Sequence, residues 1–207
     1  MKRNIIIIGC GGYSKVIVDA IEQRREFKIK GYLDDGKCGR GYKNYIILDK
    51  IKNASLYDDK NTWFVIAIGD NNIRMFISNE FSRLKYAIIT HKNASISPSS
   101  TIGDGSVILG GSIVNADSKI GKHVILNTQS VIEHDCIIGN YCHISPGSVI
   151  CGGNVVHDNV HIGANSVIIP NKVINKNSII GAGSTVIRNV EESTIVVGCP
   201  AKNIIYK

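Results

Sequence analysis

The chain has 207 residues, with 24 Lys+Arg against 17 Asp+Glu and a formal net charge of +7; that length suits one or two domains with real cores. The basic residues are scattered singly and aromatics make up 6%, which argues against a nucleic-acid partner and suits an anionic small molecule. Met1–Asn4 precedes only four isoleucines, too short for a signal-peptide core, and no apolar run reaches the roughly 18 residues of a membrane span.

The first half alternates strand and helix. Asn4–Ile8 predicts a strand, followed by the turn Gly9-Cys10-Gly11-Gly12. Residues 13–25 carry Val16, Ile17, Ala20 and Ile21 at helical spacing. Lys28–Leu33 predicts a second strand, closed by Asp34-Asp35-Gly36. Trp63–Ile68 predicts a third, followed by Gly69-Asp70-Asn71-Asn72 and a helical stretch to Arg83. Ala87–Thr90 predicts the last. Strands interleaved with helices indicate a small Rossmann-like parallel sheet with crossovers. A glycine turn between strand and helix presents backbone N–H groups and a helix dipole to a phosphate. It falls short of a full dinucleotide fingerprint, because Ser14 stands where a third glycine belongs. Asp34 and Asp35 stand where carboxylates accept from a ribose or base. A tight turn beside an acidic, solvated loop is the plain alternative.

From Ile96 the rhythm changes. Every sixth residue from 96 to 186 is Ile, Val or Leu, sixteen in succession without an insertion. A small residue stands four places later in most repeats, among them Ser106, Ser118, Cys136 and Ser148. Period six fits short strands joined at corners, three hexads making one triangular coil of 18 residues. Residues 18 apart then stack at about 4.8 Å, the spacing of neighbouring strands. The aliphatic points inward and the small residue fits where the walls meet. This is a parallel β-helix of hexapeptide repeats.

The stack sets His134 against Gly152, Asp135 against Gly153, and His143 against His161. His134 stands two residues past the inward Ile132, so it points away from the core. Asp135 is placed to orient its imidazole, and histidine titrates near neutrality without large tuning. A corner histidine facing solvent is the plain alternative. His157 and His161 are four apart, and His143 stacks on His161; zinc is the competing chemistry, and it needs three ligands plus an open position. The six cysteines (10, 38, 136, 142, 151 and 199) form no CxxC pair. They read as free thiols of a cytoplasmic protein, with Cys136 and Cys142 as packing residues of the hexad.

The hexad array, the GCGGYSK turn, the LDD at 33–35, the IEHDC at 132–136 and the VVGCPAK at 196–202 resemble a known family. It is the bacterial hexapeptide-repeat sugar acyltransferases of the sialic acid O-acetyltransferase type. Within it the chain is most similar to the N-acetyltransferases of nucleotide-linked 4-amino-4,6-dideoxysugars, the bacillosamine-pathway kind. The resemblance implies a left-handed β-helix and a homotrimer with active sites between neighbouring β-helices. It implies acetyl-CoA as co-substrate, a nucleotide-linked amino sugar (UDP or dTDP) as acceptor, and a place in surface-glycan or O-antigen synthesis. His134 then acts as general base with Asp135 as its orienter. Gly152 and Gly153 supply backbone to the oxyanion or to CoA, with Ala164 and Ala182 on the same corner and Lys202 near the CoA phosphates. The nucleotide-sugar would meet Gly11, Gly12, Tyr13, Ser14, Asp34, Asp35, Gly69 and Asn71, with Asn127 and His143 also lining the site. Tyr13 departs from the family, which often has histidine there; Lys15 is the alternative source of charge. No metal is expected. The predicted domains are 1–92, binding the nucleotide-sugar, and 93–207, binding acetyl-CoA and trimerising. Sugar O-acetylation is the first rival. A zinc β-helix enzyme and a non-catalytic scaffold are rivals from other classes.

Overall fold

The computed structural model describes residues 2–36 and 39–204, so Cys38 lies outside the described residues. Four parallel strands open the chain: β1 (Arg3–Ile8), β2 (Phe27–Leu33), β3 (Ile47–Asp49) and β4 (Thr62–Ile66). They lie in the order β3-β2-β1-β4. Helix α1 (Gly12–Arg24) follows β1 and α2 (Asn71–Glu80) follows β4. β1 is central and buried on both faces, as a parallel strand with crossovers must be. Ile5 and Ile7 pack with Ile17, Val18 and Ile21 of α1. Ile6 and Ile8 face the other way, with Ile77 of α2. The short edge strand β3 has too few residues to show an alternation in the sequence.

β5 (Ile89–Thr90) corrects the sequence reading. It does not join the N-terminal sheet; it pairs in parallel with Val107–Ile108 and starts the β-helix. The N-terminal sheet instead gains an isolated parallel bridge, Phe64 to Tyr86. The β-helix therefore begins before the expected boundary at 92. Ile89, Val107 and Leu109 share one core with α1 and β1, so the two parts are packed together rather than strung on a linker.

The β-helix is a left-handed triangular prism with three parallel walls. The first wall holds β5 and the strands beginning at Val107, Ile125, His143, His161, Ile179 and Ile195. The second holds those beginning at Ser95, Ile113, Val131, Val149, Val167 and Thr185; the third, those at Thr101, Lys119, Ile137, Val155 and Val173. The inward aliphatics from Ile108 to Val186 form one continuous core. Ile96 and Ile102, at the open end, are half-buried.

The small-residue slot has a hydrogen-bonding reason. Ser118 Oγ donates to the Glu133 carbonyl at 2.7 Å and accepts the Cys136 amide at 3.2 Å. Ser106 and Ser148 reach carbonyls 15 residues ahead in the same way, and Cys136 and Cys142 do so through sulfur. Each such side chain links one coil to the next where the walls converge. The residue before the slot turns the corner in the left-handed conformation, as at Asp117, Asp135 and Asn165, where Asp, Asn and Gly are the tolerated types. Among the described residues no helix is long and apolar enough to cross a membrane.

Candidate active site

His134 and Asp135 stand on the corner from the second wall to the third. The left-handed turn at Asp135 (φ 58°) brings its carboxylate back onto the preceding ring. His134 Nδ1 lies 2.8 Å from Asp135 Oδ2. An ionised carboxylate only accepts, so Nδ1 carries the proton and Nε2 is the free basic nitrogen. The Asp135 hydrogen bond raises the His134 pKa above the ordinary imidazole value.

Gly152 lies directly under the ring. A Cβ there would fall 2.6 Å from His134 Cε1 and 2.7 Å from Nε2, so only glycine leaves the imidazole its place. Among the described residues the Gly152 amide donates to no acceptor. Gly153 is different: its amide donates to the His134 carbonyl at 3.0 Å. Of the two predicted backbone donors, only Gly152 is therefore open. Glu133, which the sequence reading passed over, shares this corner and accepts from Asn115 Nδ2 at 2.9 Å.

The predicted nucleotide-sugar residues collect elsewhere, at the carboxyl ends of β1, β2 and β4. β1 sends its connection to β2 on one side while β4 lies on the other. The loops at 9–12 and 67–71 diverge there, and the crevice between them is where open α/β sheets bind ligands. Cβ atoms built at Gly11, Gly12 or Gly69 would meet nothing within 4 Å, so the backbone there is open to a ligand. Several side chains expected to bind are occupied within the chain. Asp34 accepts the amides of Cys10 at 2.7 Å and Gly36 at 3.0 Å, which holds the glycine turn against β2. Asp35 accepts the Ile51 amide at 2.9 Å. Ser14 is fully buried and donates to the Gly11 carbonyl at 2.7 Å. Asn71 uses both ends of its amide, on Arg74 at 2.8 Å and on the Val160 carbonyl at 3.2 Å. The Tyr13 hydroxyl is buried without a hydrogen bond, and burial pushes its pKa up; it points inside rather than to a phosphate in front of the helix.

The loop at 69–72 faces the first wall across a groove of about 630 Å³ lined by His143, Asn159 and His161. Asn127 Oδ1 accepts the Thr128 amide at 2.9 Å, so its Nδ2 is the end that points to His143 Nε2, at 3.1 Å. His143 Nε2 must then accept, and the ring is neutral. Burial, His161 and Arg74 together drive its pKa down to about 3. The His161 ring meets the His143 ring edge-on, with ring centroids 4.9 Å apart, and lines the same groove. Among the described residues no group of three or more His, Cys, Asp or Glu comes together to hold a metal.

The three walls decide how these parts relate. The corner bearing His134 and Gly152 joins the second and third walls and is therefore opposite the first wall, where the groove and the N-terminal crevice lie. Within one chain the two sets are on opposite sides of the prism. Ala164 and Ala182 correct the sequence reading as well. They stack on the corner from the first wall to the second, with Gly183 bonded to Ala164 and Gly198 to Ser184 above them. They share no corner with Gly152 and Gly153. The exposed Lys202 extends this second strip, in a short strand antiparallel to Val196–Val197.

Residues 4–81 match the model of the PglD N-terminal domain, and residues 117–152 match the bacterial transferase hexapeptide (six repeats). The first match spans the N-terminal sheet and its helices, and the second spans two coils of the β-helix. Both matches agree with the resemblance read from the sequence. UDP-N-acetylbacillosamine N-acetyltransferase of Bacillus subtilis is 36% identical over 111 residues, which is 52% of this chain and 51% of that protein. The chain spans 23% to 51% of the length of the curated relatives it matches. Two solved structures are similar over nearly the full length. A perosamine N-acetyltransferase variant from Caulobacter crescentus in complex with CoA and GDP-perosamine has a TM-score of 0.92 and 28% identity, covering 98% of this chain and 97% of that one. The acetyltransferase domain of PglB from Neisseria gonorrhoeae with acetyl coenzyme A has a TM-score of 0.93 and 26% identity, covering 99% and 100%.

Proposed function

We propose that the chain is an acetyl-CoA-dependent N-acetyltransferase acting on the amine of a nucleotide-linked 4-amino-4,6-dideoxysugar, as a homotrimer, in surface-glycan synthesis. The observation that carries this is the corner assembly: a neutral-capable histidine oriented by Asp135, over a glycine with an open amide. The sugar amine attacks the thioester carbonyl, forming C–N as C–S breaks, and CoA leaves as the thiol. His134 Nε2 takes the proton the amine must lose and passes it to the departing thiolate, and the Gly152 N–H meets the oxygen that gains charge. No acyl-enzyme is needed, and Cys151, next to Gly152, has its thiol pKa raised by burial, the wrong direction for a nucleophile.

The N-terminal crevice holds the nucleotide and its pyrophosphate at Gly11 and Gly12, and Gly69 borders the sugar. The strip of Ala164, Ala182 and Lys202 lets the pantetheine arm approach. Two observations favour assembly. The amine site and the nucleotide crevice lie on opposite sides of one chain, so a second copy has to bring them together. The outward side chains of the second wall form an apolar stripe, Ile113, Val131, Val149 and Val167, which water would otherwise cover.

The deciding experiment is thiol release from acetyl-CoA with a panel of UDP-, dTDP- and GDP-linked sugars, paired as amine and hydroxyl at the same carbon. Turnover of an amino sugar supports the reading. Turnover of the hydroxyl sugars alone makes the chain an O-acetyltransferase, and no turnover with any of them removes the activity.

A further inference from the structure

Arg74 on α2 is 1% exposed and is among the largest fully buried side chains. A guanidinium has five N–H donors, and all five are used. Nε donates to the His123 carbonyl at 2.8 Å. Nη1 donates to the carbonyls of Ile68 and Gly69, each at 3.1 Å. Nη2 donates to Asn71 Oδ1 at 2.8 Å and to the Tyr141 carbonyl at 2.7 Å, with the Cys142 carbonyl at 3.4 Å. The acceptors come from two places: the loop after β4 with the first residue of α2, and two successive turns of the β-helix on the corner between the third and first walls. None of them is a carboxylate. A buried cation surrounded by neutral acceptors is costly to desolvate, and an apolar side chain of similar volume is often the more stable choice. A residue that only filled space would not need this charge. What the charge obtains is a fixed distance: the Gly69 loop cannot shift from the His123–Cys142 turns without breaking several charged hydrogen bonds at once. The Tyr141–Cys142 turn leads directly into the strand that carries His143, and the His123 turn leads into the strand paired with it.

We infer that Arg74 is a positioning residue that sets the gap between the Gly69 loop and the His143–His161 wall, and so the depth at which the sugar of a nucleotide-linked substrate is seated. The inference rests on the proposed function for the identity of the substrate, and its test is a binding test that does not need turnover. Asn71 and Asn159 tighten the same seam, Asn71 on the Val160 carbonyl and Asn159 Nδ2 on Asn72 Oδ1 at 2.9 Å. The glycine turn at 9–12 is held by Asp34 instead. Arg74 therefore governs the sugar end of the crevice and leaves the nucleotide end alone.

The test is calorimetric titration of Arg74→Met and Arg74→Lys. One arm uses nucleoside diphosphates alone (UDP, dTDP, GDP) and the other the matching nucleotide-linked 4-amino-4,6-dideoxysugars. In Arg74→Met the diphosphate Kd stays within threefold of the parent, while the nucleotide-sugar Kd rises at least tenfold. Arg74→Lys, which keeps a charge but not the fork, falls between. A nucleotide-sugar Kd within threefold of the parent in folded Arg74→Met overturns the inference. So does an equal loss in both arms for both variants, which is general destabilisation. If the parent binds these ligands but acetylates none, the proposed activity fails and the positioning result still stands or falls on the two Kd values.

Discussion

Substituting Gly152 by alanine separates catalysis from stability at one atom. The added Cβ would lie 2.6 Å from His134 Cε1 and 2.7 Å from Nε2, where carbon contacts settle at about 3.5–4.0 Å. The ring has to move by roughly 1 Å. It can do so at little cost to the fold, because the His134 side chain is 64% exposed and exposed substitutions usually stay within about 0.5 kcal/mol. The backbone at Gly152 is not in the left-handed region, so alanine adds no strain there. A misplacement of about 1 Å in a reacting group costs on the order of 10²-fold in rate, against about 10²–10⁴-fold for removing a general base. Gly152→Ala is therefore expected to lose about a hundredfold in kcat by thiol release, with the melting temperature unchanged, and His134→Ala to lose at least as much. A folded Gly152→Ala enzyme within twofold of the parent kcat would refute the reasoning, since the ring's place over Gly152 would then be irrelevant to turnover.

Asp135→Asn removes the charge that raises the His134 pKa, so the acidic limb of the pH profile of kcat/KM should move to lower pH, with about tenfold lower turnover from the lost orientation; an unmoved limb would detach Asp135 from His134. Ser118→Ala leaves the Glu133 carbonyl and the Cys136 amide without their buried partner and should cost about 1–3 kcal/mol in urea unfolding. His143, His123 and His161 are held neutral by burial, His143 down to about 3 and His123 to about 4. A depressed histidine pKa means the unfolded chain binds the proton first. The stability is therefore intact above about 6.5, the unfolded value, and falls as pH drops from there toward 4, by up to about 1.4 kcal/mol per pH unit for each ring. Urea midpoints between pH 8 and 4.5 measure it, and His143→Asn should flatten the slope.

Much of the fold is legible in the chain because hexad periodicity is a local rule. Each inward aliphatic, each left-handed corner and each buried serine answers to neighbours 6, 15 or 18 residues away, and the repeat fixes those intervals. The contact of Gly152 with His134 and the pairing of His161 with His143 follow from the same arithmetic. The N-terminal readings were less complete. β3 is three residues long, and β5 reads like a core strand whichever sheet takes it. Ser14, Asp34 and Asn71 are polar residues at a ligand-bearing edge, and nothing local says that their hydrogen bonds are already made within the chain.

The sequence by itself determined the prism, the corner carrying His134 and Asp135, and the open glycine turn, because each depends on spacing alone. Only the tertiary structure decided which wall meets which domain. That choice puts the His134 corner and the N-terminal crevice on opposite sides of one chain, and sets Ala164 and Ala182 on a corner apart from Gly152. It also turns Arg74, an unremarked residue in a helical stretch, into the tie between loop and β-helix. Arg74 meets carbonyls 49, 67 and 68 residues away, and contacts at such separations arise from packing two domains together, not from any repeat along the chain.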